Sequence, residues 1–137
     1  MSQAKILVVD DEVEIVRAVT MRLRAVGYEV IAAHDGLMAT QLVMSEAPDL
    51  VIMDLGMPCG DGHTVMQRLL NNMETMSTPV IVMTARTADE DRARAAANRA
   101  AGYLTKPFKA SDLLQSVSRA LSVGKLREGG AYAASFN

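Results

Sequence analysis

Three acidic residues and one lysine stand at the ends of apolar runs in this chain. Asp10 and Asp11 follow Ile6-Leu7-Val8-Val9. Asp54 follows Leu50-Val51-Ile52-Met53 and opens into Leu55-Gly56-Met57-Pro58. Lys106 follows Tyr103-Leu104-Thr105 and precedes Pro107. If those runs are adjacent parallel strands, three carboxylates and one ammonium meet at one sheet edge. Carboxylates a few ångströms apart repel, and at least one resists ionisation. A hard divalent cation with oxygen ligands relieves that repulsion, and Mg²⁺ is the usual intracellular choice. Neither His34 nor His63 belongs to a paired ligand motif. With the metal bound, Asp54 can attack phosphorus and become an aspartyl phosphate. Phosphoryl transfer needs in-line positioning and charge neutralisation. Mg²⁺ and Lys106 would supply the charge, and the Thr84 hydroxyl a hydrogen bond. A single Asp at a strand–helix junction is as often a plain N-cap. The whole set at matching strand ends argues for chemistry instead.

The elements that must position these groups are legible. Apolar runs at Lys5–Val9, Tyr28–Ala33, Leu50–Met53, Val80–Thr84 and Tyr103–Thr105 show little alternation, as strands covered on both faces do. Five helices are predicted between and after them. Val16, Val19, Leu23 and Val26 mark the first, stopped by Gly27. Met38, Ala39, Leu42 and Val43 mark the second, with Asp35 as N-cap and Pro48 beyond its end. Val65, Met66, Leu69, Leu70 and Met73 mark the third, with Asp61 as N-cap. The fourth opens on the capping box Thr87-Ala88-Asp89-Glu90, and its Ala- and Arg-rich body offers a thin buried face. Leu113, Leu114, Val117 and Leu121 mark the fifth, with Gly124 past its end. Five βα units imply an α/β parallel sheet with helices on both faces and right-handed crossovers. The expected strand order is 2-1-3-4-5. Its switch point then lies between strands one and three, where ligands bind outside the carboxyl ends of the strands.

The bulk properties narrow the field. The chain has 137 residues, half of them apolar, which suits one domain over 1–123 and a flexible tail over 124–137. A net charge of −2 gives no basic footprint for nucleic acid. No apolar stretch approaches the roughly 20 residues needed to span a bilayer. The first residues lack the long apolar region of a signal peptide. The one cysteine, Cys59, forms no internal disulfide and fits a reducing compartment, with the cytoplasm as default.

Taken in order, Val9-Asp10-Asp11-Glu12, Asp54-Leu55-Gly56-Met57-Pro58 with Asp61-Gly62, Thr84-Ala85 and Tyr103-Leu104-Thr105-Lys106-Pro107-Phe108 form a specific set. Over roughly Lys5–Val123 the chain resembles the receiver domain of two-component response regulators, a flavodoxin-like fold. The resemblance implies that a histidine kinase or phosphotransfer protein phosphorylates Asp54. It implies that Asp10 (through water), Asp11, Asp54 and the Gly56 carbonyl arrange Mg²⁺. It implies that Thr84 and Lys106 contact the phosphoryl group and that Lys106-Pro107 is a cis peptide. On phosphorylation Thr84 and Tyr103 would move, changing the face formed by helix four, strand five and helix five to control an output partner. Where the family usually reads Gly-Ala-Asp-Asp, this chain has Arg99-Ala100-Ala101-Gly102, leaving Asn98 as the expected left-handed cap of helix four.

Other residues weigh less. Gly56 and Arg86 flank the expected phosphoryl position, where the family tunes dephosphorylation, although Arg86 reads equally as a solvated loop charge. Nearby carboxylates oppose a reactive Cys59 thiolate. His34 and His63 read as surface residues, and the ten methionines mostly as core filler. Arg92, Arg94 and Arg99 read as a solvated face, with an acidic partner or a phosphorylation-dependent dimer as the functional alternative. The competing function is a receiver-like interaction module that is never phosphorylated. A haloacid-dehalogenase-like phosphatase would need an Asp where Gly56 stands. A flavin protein would need a Ser/Thr/Gly-rich phosphate loop after strand one.

Overall fold

The computed structural model describes residues 3–57, 62–85 and 100–128. Five strands, β1 (Lys5–Val9), β2 (Glu29–Ala33), β3 (Leu50–Asp54), β4 (Val80–Thr84) and β5 (Gly102–Thr105), form one parallel sheet in the order 2-1-3-4-5. Four described helices cover it: α1 (Val13–Ala25), α2 (Gly36–Glu46), α3 (Gly62–Leu70) and α4 (Ala110–Glu128).

Alternation along each strand divides the core into two layers. Leu7, Val9, Val51, Met53, Val80 and Val82 face α2 and α3, meeting Ala39, Val43, Val65, Met66 and Leu69. Ile6, Val8, Leu50, Ile52, Ile81, Met83 and Leu104 face α1 and α4, meeting Val16, Val19, Leu23, Leu113, Val117 and Ala120. The middle strands β3 and β4 are buried throughout, which is why they read as unbroken apolar runs. The registers Val9↔Met53 and Asp54↔Met83 place the carboxyl ends of β1, β3 and β4 side by side.

The helix ends differ from the sequence reading in several places. Val26 is the C-cap of α1 and more than half exposed, with Gly27 at φ +99° ending the helix. Met73 is 89 % exposed, because α3 stops at Leu70 and a turn follows in which Asn72 Oδ1 accepts from the Glu74 N–H. Met38 also sits on the solvent side of α2. The last helix runs through Gly124 to Glu128. One glycine costs a helix only about 1 kcal/mol, and Lys125, Leu126, Arg127 and Glu128 are good helix formers. The expected caps Asp61 and Asn98, the Thr87–Glu90 box, Pro58, Cys59, Arg86, Arg92, Arg94, Arg99 and the His63 side chain lie outside the described residues.

Two caps of α2 show how it is held. Asp35 Oδ1 accepts from the Met38 N–H at 2.8 Å, as its type and place predict. At the other end Ala47 adopts φ 46°, the left-handed conformation normally left to glycine, and its N–H reaches the Val43 carbonyl. A Cβ in that region costs about 1–2 kcal/mol, partly offset in glycine by a floppier unfolded chain. Ala47→Gly is therefore expected to stabilise the protein by about 1 kcal/mol, seen as a higher urea midpoint with unchanged slope.

Candidate functional site

Asp10 and Asp54 are built into the sheet edge by the same local device. Each ends or follows a strand, and each commits Oδ1 to the N–H two residues on. Asp10 Oδ1 accepts from the Glu12 N–H at 2.9 Å, and Asp54 Oδ1 accepts from the Gly56 N–H at 2.9 Å. Such side-chain turns lock the carboxylate rotamer where the backbone leaves the strand. The Asp10 N–H donates to the Ala33 carbonyl, carrying the ladder between β1 and β2 one residue further. That leaves the Oδ2 atom of each aspartate for the cleft between them.

Lys106 fills that cleft. Its backbone N–H donates to the Thr84 carbonyl at 2.8 Å, which fastens the end of β5 to the end of β4, and the Lys106–Pro107 peptide is cis. Its ammonium lies 2.7 Å from Asp10 Oδ2, 3.2 Å from Asp54 Oδ2 and 3.2 Å from Glu12 Oε1. Asp10 is fully buried, and Asp54 and the Lys106 side chain nearly so. Among the described residues Asp10 Oδ2 is held by that ion pair alone, which leaves it acceptor capacity for a further partner.

The electrostatics follow from burial. Burial pushes the Asp10 carboxyl up, and this outweighs the opposing pull of Lys106 and of the Glu12 N–H; the charge on Asp54 adds to the rise. For Lys106 burial acts downward, but contact with Asp10, reinforced by Asp54, holds its pKa above the ordinary lysine value. The ammonium is therefore charged throughout the physiological range and has more than one negative partner.

Among the described residues, Asp10, Glu12 and Asp54 form the group of carboxylates whose oxygens lie within 4.8 Å of one another. Asp11 is exposed and outside that group. Glu12 stands in it, a role the sequence reading did not assign although it quoted the residue. Its only prior signal was a third consecutive acidic residue. The donor set is entirely hard oxygen, and it includes the buried Asp10 Oδ2 with spare capacity, so it suits Mg²⁺ rather than a softer metal. Thr84 is buried at the end of β4, in register with Thr105. Tyr103 lies on β5 and packs, partly buried, against the layer beneath α2 and α3. His34 is exposed.

Gly62, the first residue of α3, stands in the quoted motif set but was assigned no role there. Its N–H donates to the Leu55 carbonyl at 3.2 Å. A Cβ there would lie 2.6 Å from the Asp54 carbonyl oxygen and 2.8 Å from Leu55 Cα. The helix thus begins directly against the backbone that carries Asp54.

Comparison with known proteins agrees with this geometry. Residues 6–118 match the family model of the response regulator receiver domain. The DNA-binding dual master transcriptional regulator RpaA of Synechocystis sp. is 38 % identical over 113 residues, which is 82 % of this chain and 47 % of that protein. The transcriptional regulatory protein KdpE of Mycobacterium tuberculosis is 38 % identical over 116 residues, 85 % of this chain and 50 % of that protein. The chain thus spans about half the length of these curated relatives. Among solved structures, the chemotaxis response regulator CheY4 of Vibrio cholerae superposes with a TM-score of 0.82 at 32 % identity, covering 87 % of this chain and 99 % of that one. A response regulator structure from Chloroflexus aurantiacus gives 0.85 at 30 % identity, covering 88 % and 99 %. No described helix is long and apolar enough to cross a membrane. With its matched residues reaching from β1 into α4, the chain belongs to the response regulator receiver domain family.

Proposed function

We propose that this chain is the phospho-accepting switch of a two-component phosphorelay, with Asp54 receiving a phosphoryl group from a histidine kinase or a phosphotransfer protein. The observation that carries the reading is the convergence of Asp10, Asp54 and Lys106 in one buried cleft. Asp54 Oδ2 attacks phosphorus, the P–N bond of the donor phosphohistidine breaks, and the leaving imidazole keeps the electron pair and gains a proton. The Gly56 N–H holds the other oxygen, so the nucleophile is oriented before the donor arrives. Lys106 neutralises charge on the transferred group, and the Thr84 hydroxyl donates to it. Asp10, Asp11, Asp54 and the Gly56 carbonyl would hold Mg²⁺, which when bound supplies further neutralisation of charge at phosphorus. Tyr103 is the second switch position, and an output partner reads the face to which β5 and α4 contribute. The chain catalyses the gain and loss of its own phosphoryl group and acts on no separate metabolite. Cys59 as sole cysteine suits the reducing cytoplasm in which this exchange would run.

Intact-mass spectrometry after incubation with acetyl phosphate and Mg²⁺ tests this. The wild type is expected to gain one phosphoryl group, Asp54→Asn none, and chelation of the metal should suppress the gain. An unmodified wild type would overturn the reading in favour of a docking module that is never phosphorylated.

A further inference from the structure

An ammonium group has three N–H donors, and three carboxylates stand within 3.2 Å of Lys106 Nζ. The third of them differs from the aspartates. The Glu12 side chain is 60 % exposed. Glu12 occupies the N-cap position of α1 yet makes no side-chain capping hydrogen bond. Its carboxylate reaches instead to a lysine 94 residues away. A phosphoryl group on Asp54 would bring new acceptor oxygens to Lys106, and Glu12 Oε1, which accepts one of the ammonium's N–H groups, competes with them for it. The pair with Glu12 is the weakest of the three, because water competes for its carboxylate end. Asp10 is fully buried and fastened to the Glu12 N–H, so it is the costlier partner to release.

The geometry points to Glu12 as a positioning residue that holds Lys106 in the unphosphorylated state and competes with the phosphoryl group for it. This inference rests on the proposed role of Asp54. It assigns to the resting protein a displaceable latch: Glu12 gives up the lysine as the phosphoryl group arrives and reclaims it when the group leaves. No covalent bond changes at Glu12.

Two variants separate the latch from the simple field of a negative charge at the cleft mouth. Glu12→Gln removes the charge. Glu12→Asp keeps the charge but is one methylene shorter and cannot reach as far. Both are expected to take a phosphoryl group from acetyl phosphate about twofold to fivefold faster than wild type, the size of one exposed ion pair. The urea midpoint of Glu12→Gln should stay at the wild-type value. Acceleration in Glu12→Gln alone would show a field effect and overturn the latch, as would rates equal to wild type in both. Proton exchange at Lys106 Nζ, followed by ¹⁵N NMR of the unphosphorylated proteins, needs no phosphoryl transfer. It should quicken in both variants, and unchanged exchange sinks the latch by itself. Failure of the wild type to be modified at Asp54 sinks the receiver reading instead.

Discussion

Lys106→Met is expected to lower the stability of the metal-free protein by about 3–5 kcal/mol, the usual cost of removing one partner from a buried ion pair. The lysine is the shared counter-charge of Asp10 and Asp54, and its methylenes lie in a cleft with little solvent. Methionine keeps most of that volume, so the loss reports charge rather than a cavity. Glu12 contributes little to it, being solvated. Two further results follow from the same cause. Mg²⁺ should recover much of the loss, since a ligand at about 100 times its Kd adds about 2.7 kcal/mol. Acid should recover part of it as well. Burial already raises the Asp10 pKa against the pull of Lys106, and without the lysine it rises further. A carboxyl whose folded pKa exceeds its unfolded value binds more protons when folded. Its contribution to stability is therefore full below the unfolded pKa and is lost as pH rises through the folded one. The deficit of Lys106→Met should be largest near neutrality and smaller at mildly acid pH. Urea midpoints at the two pH values, with and without Mg²⁺, measure all three effects. A deficit independent of pH would mean that Asp10 is not the group left uncompensated.

Gly62→Ala is expected to damage the site from behind. The added Cβ would stand 2.6 Å from the Asp54 carbonyl oxygen, closer than such atoms pack, and the obstruction is backbone that no rotamer change can clear. Either α3 moves off the sheet or the end of β3 moves with Asp54. Overpacking of this kind costs about 1–3 kcal/mol. The effect on chemistry should be larger than the effect on stability, because a misplacement of about 1 Å in a reacting group can cost about 10²-fold in rate. Phosphorylation by acetyl phosphate at saturating Mg²⁺ measures the rate, and urea denaturation the stability. A variant that is folded, destabilised and yet phosphorylated at the wild-type rate would show that α3 yields and Asp54 stays.

The strands were open to reading because burial on both faces leaves unbroken Val, Ile and Leu runs, and β3 and β4 are buried at every position. Asp10, Asp54, Thr84 and Lys106 were legible for the same reason. A polar residue at the end of such a run has nowhere to be except the sheet edge, and Asp35 before α2 announces its cap by type alone. The positions that were misjudged depend on torsions and contacts that no local pattern encodes. Met73 has helical spacing from Leu69 and Leu70, but the chain has already turned at Asn72 before reaching it. Gly124 looked like a stop, but a lone glycine is a small debit against the good helix formers after it.

What the amino-acid order determined by itself was the (βα) alternation, the switch point between β1 and β3, and the residue types gathered there. Periodicity and chain connectivity carry that information, and both are local or nearly so. Only the tertiary structure decided that Glu12 and not Asp11 turns toward Lys106, that Gly62 sits against the Asp54 backbone, and that Ala47 takes the left-handed cap. Each of these is settled by where a distant segment comes to rest. Adjacent acidic residues look alike in sequence, and it takes a lysine arriving from the end of the last strand to tell them apart.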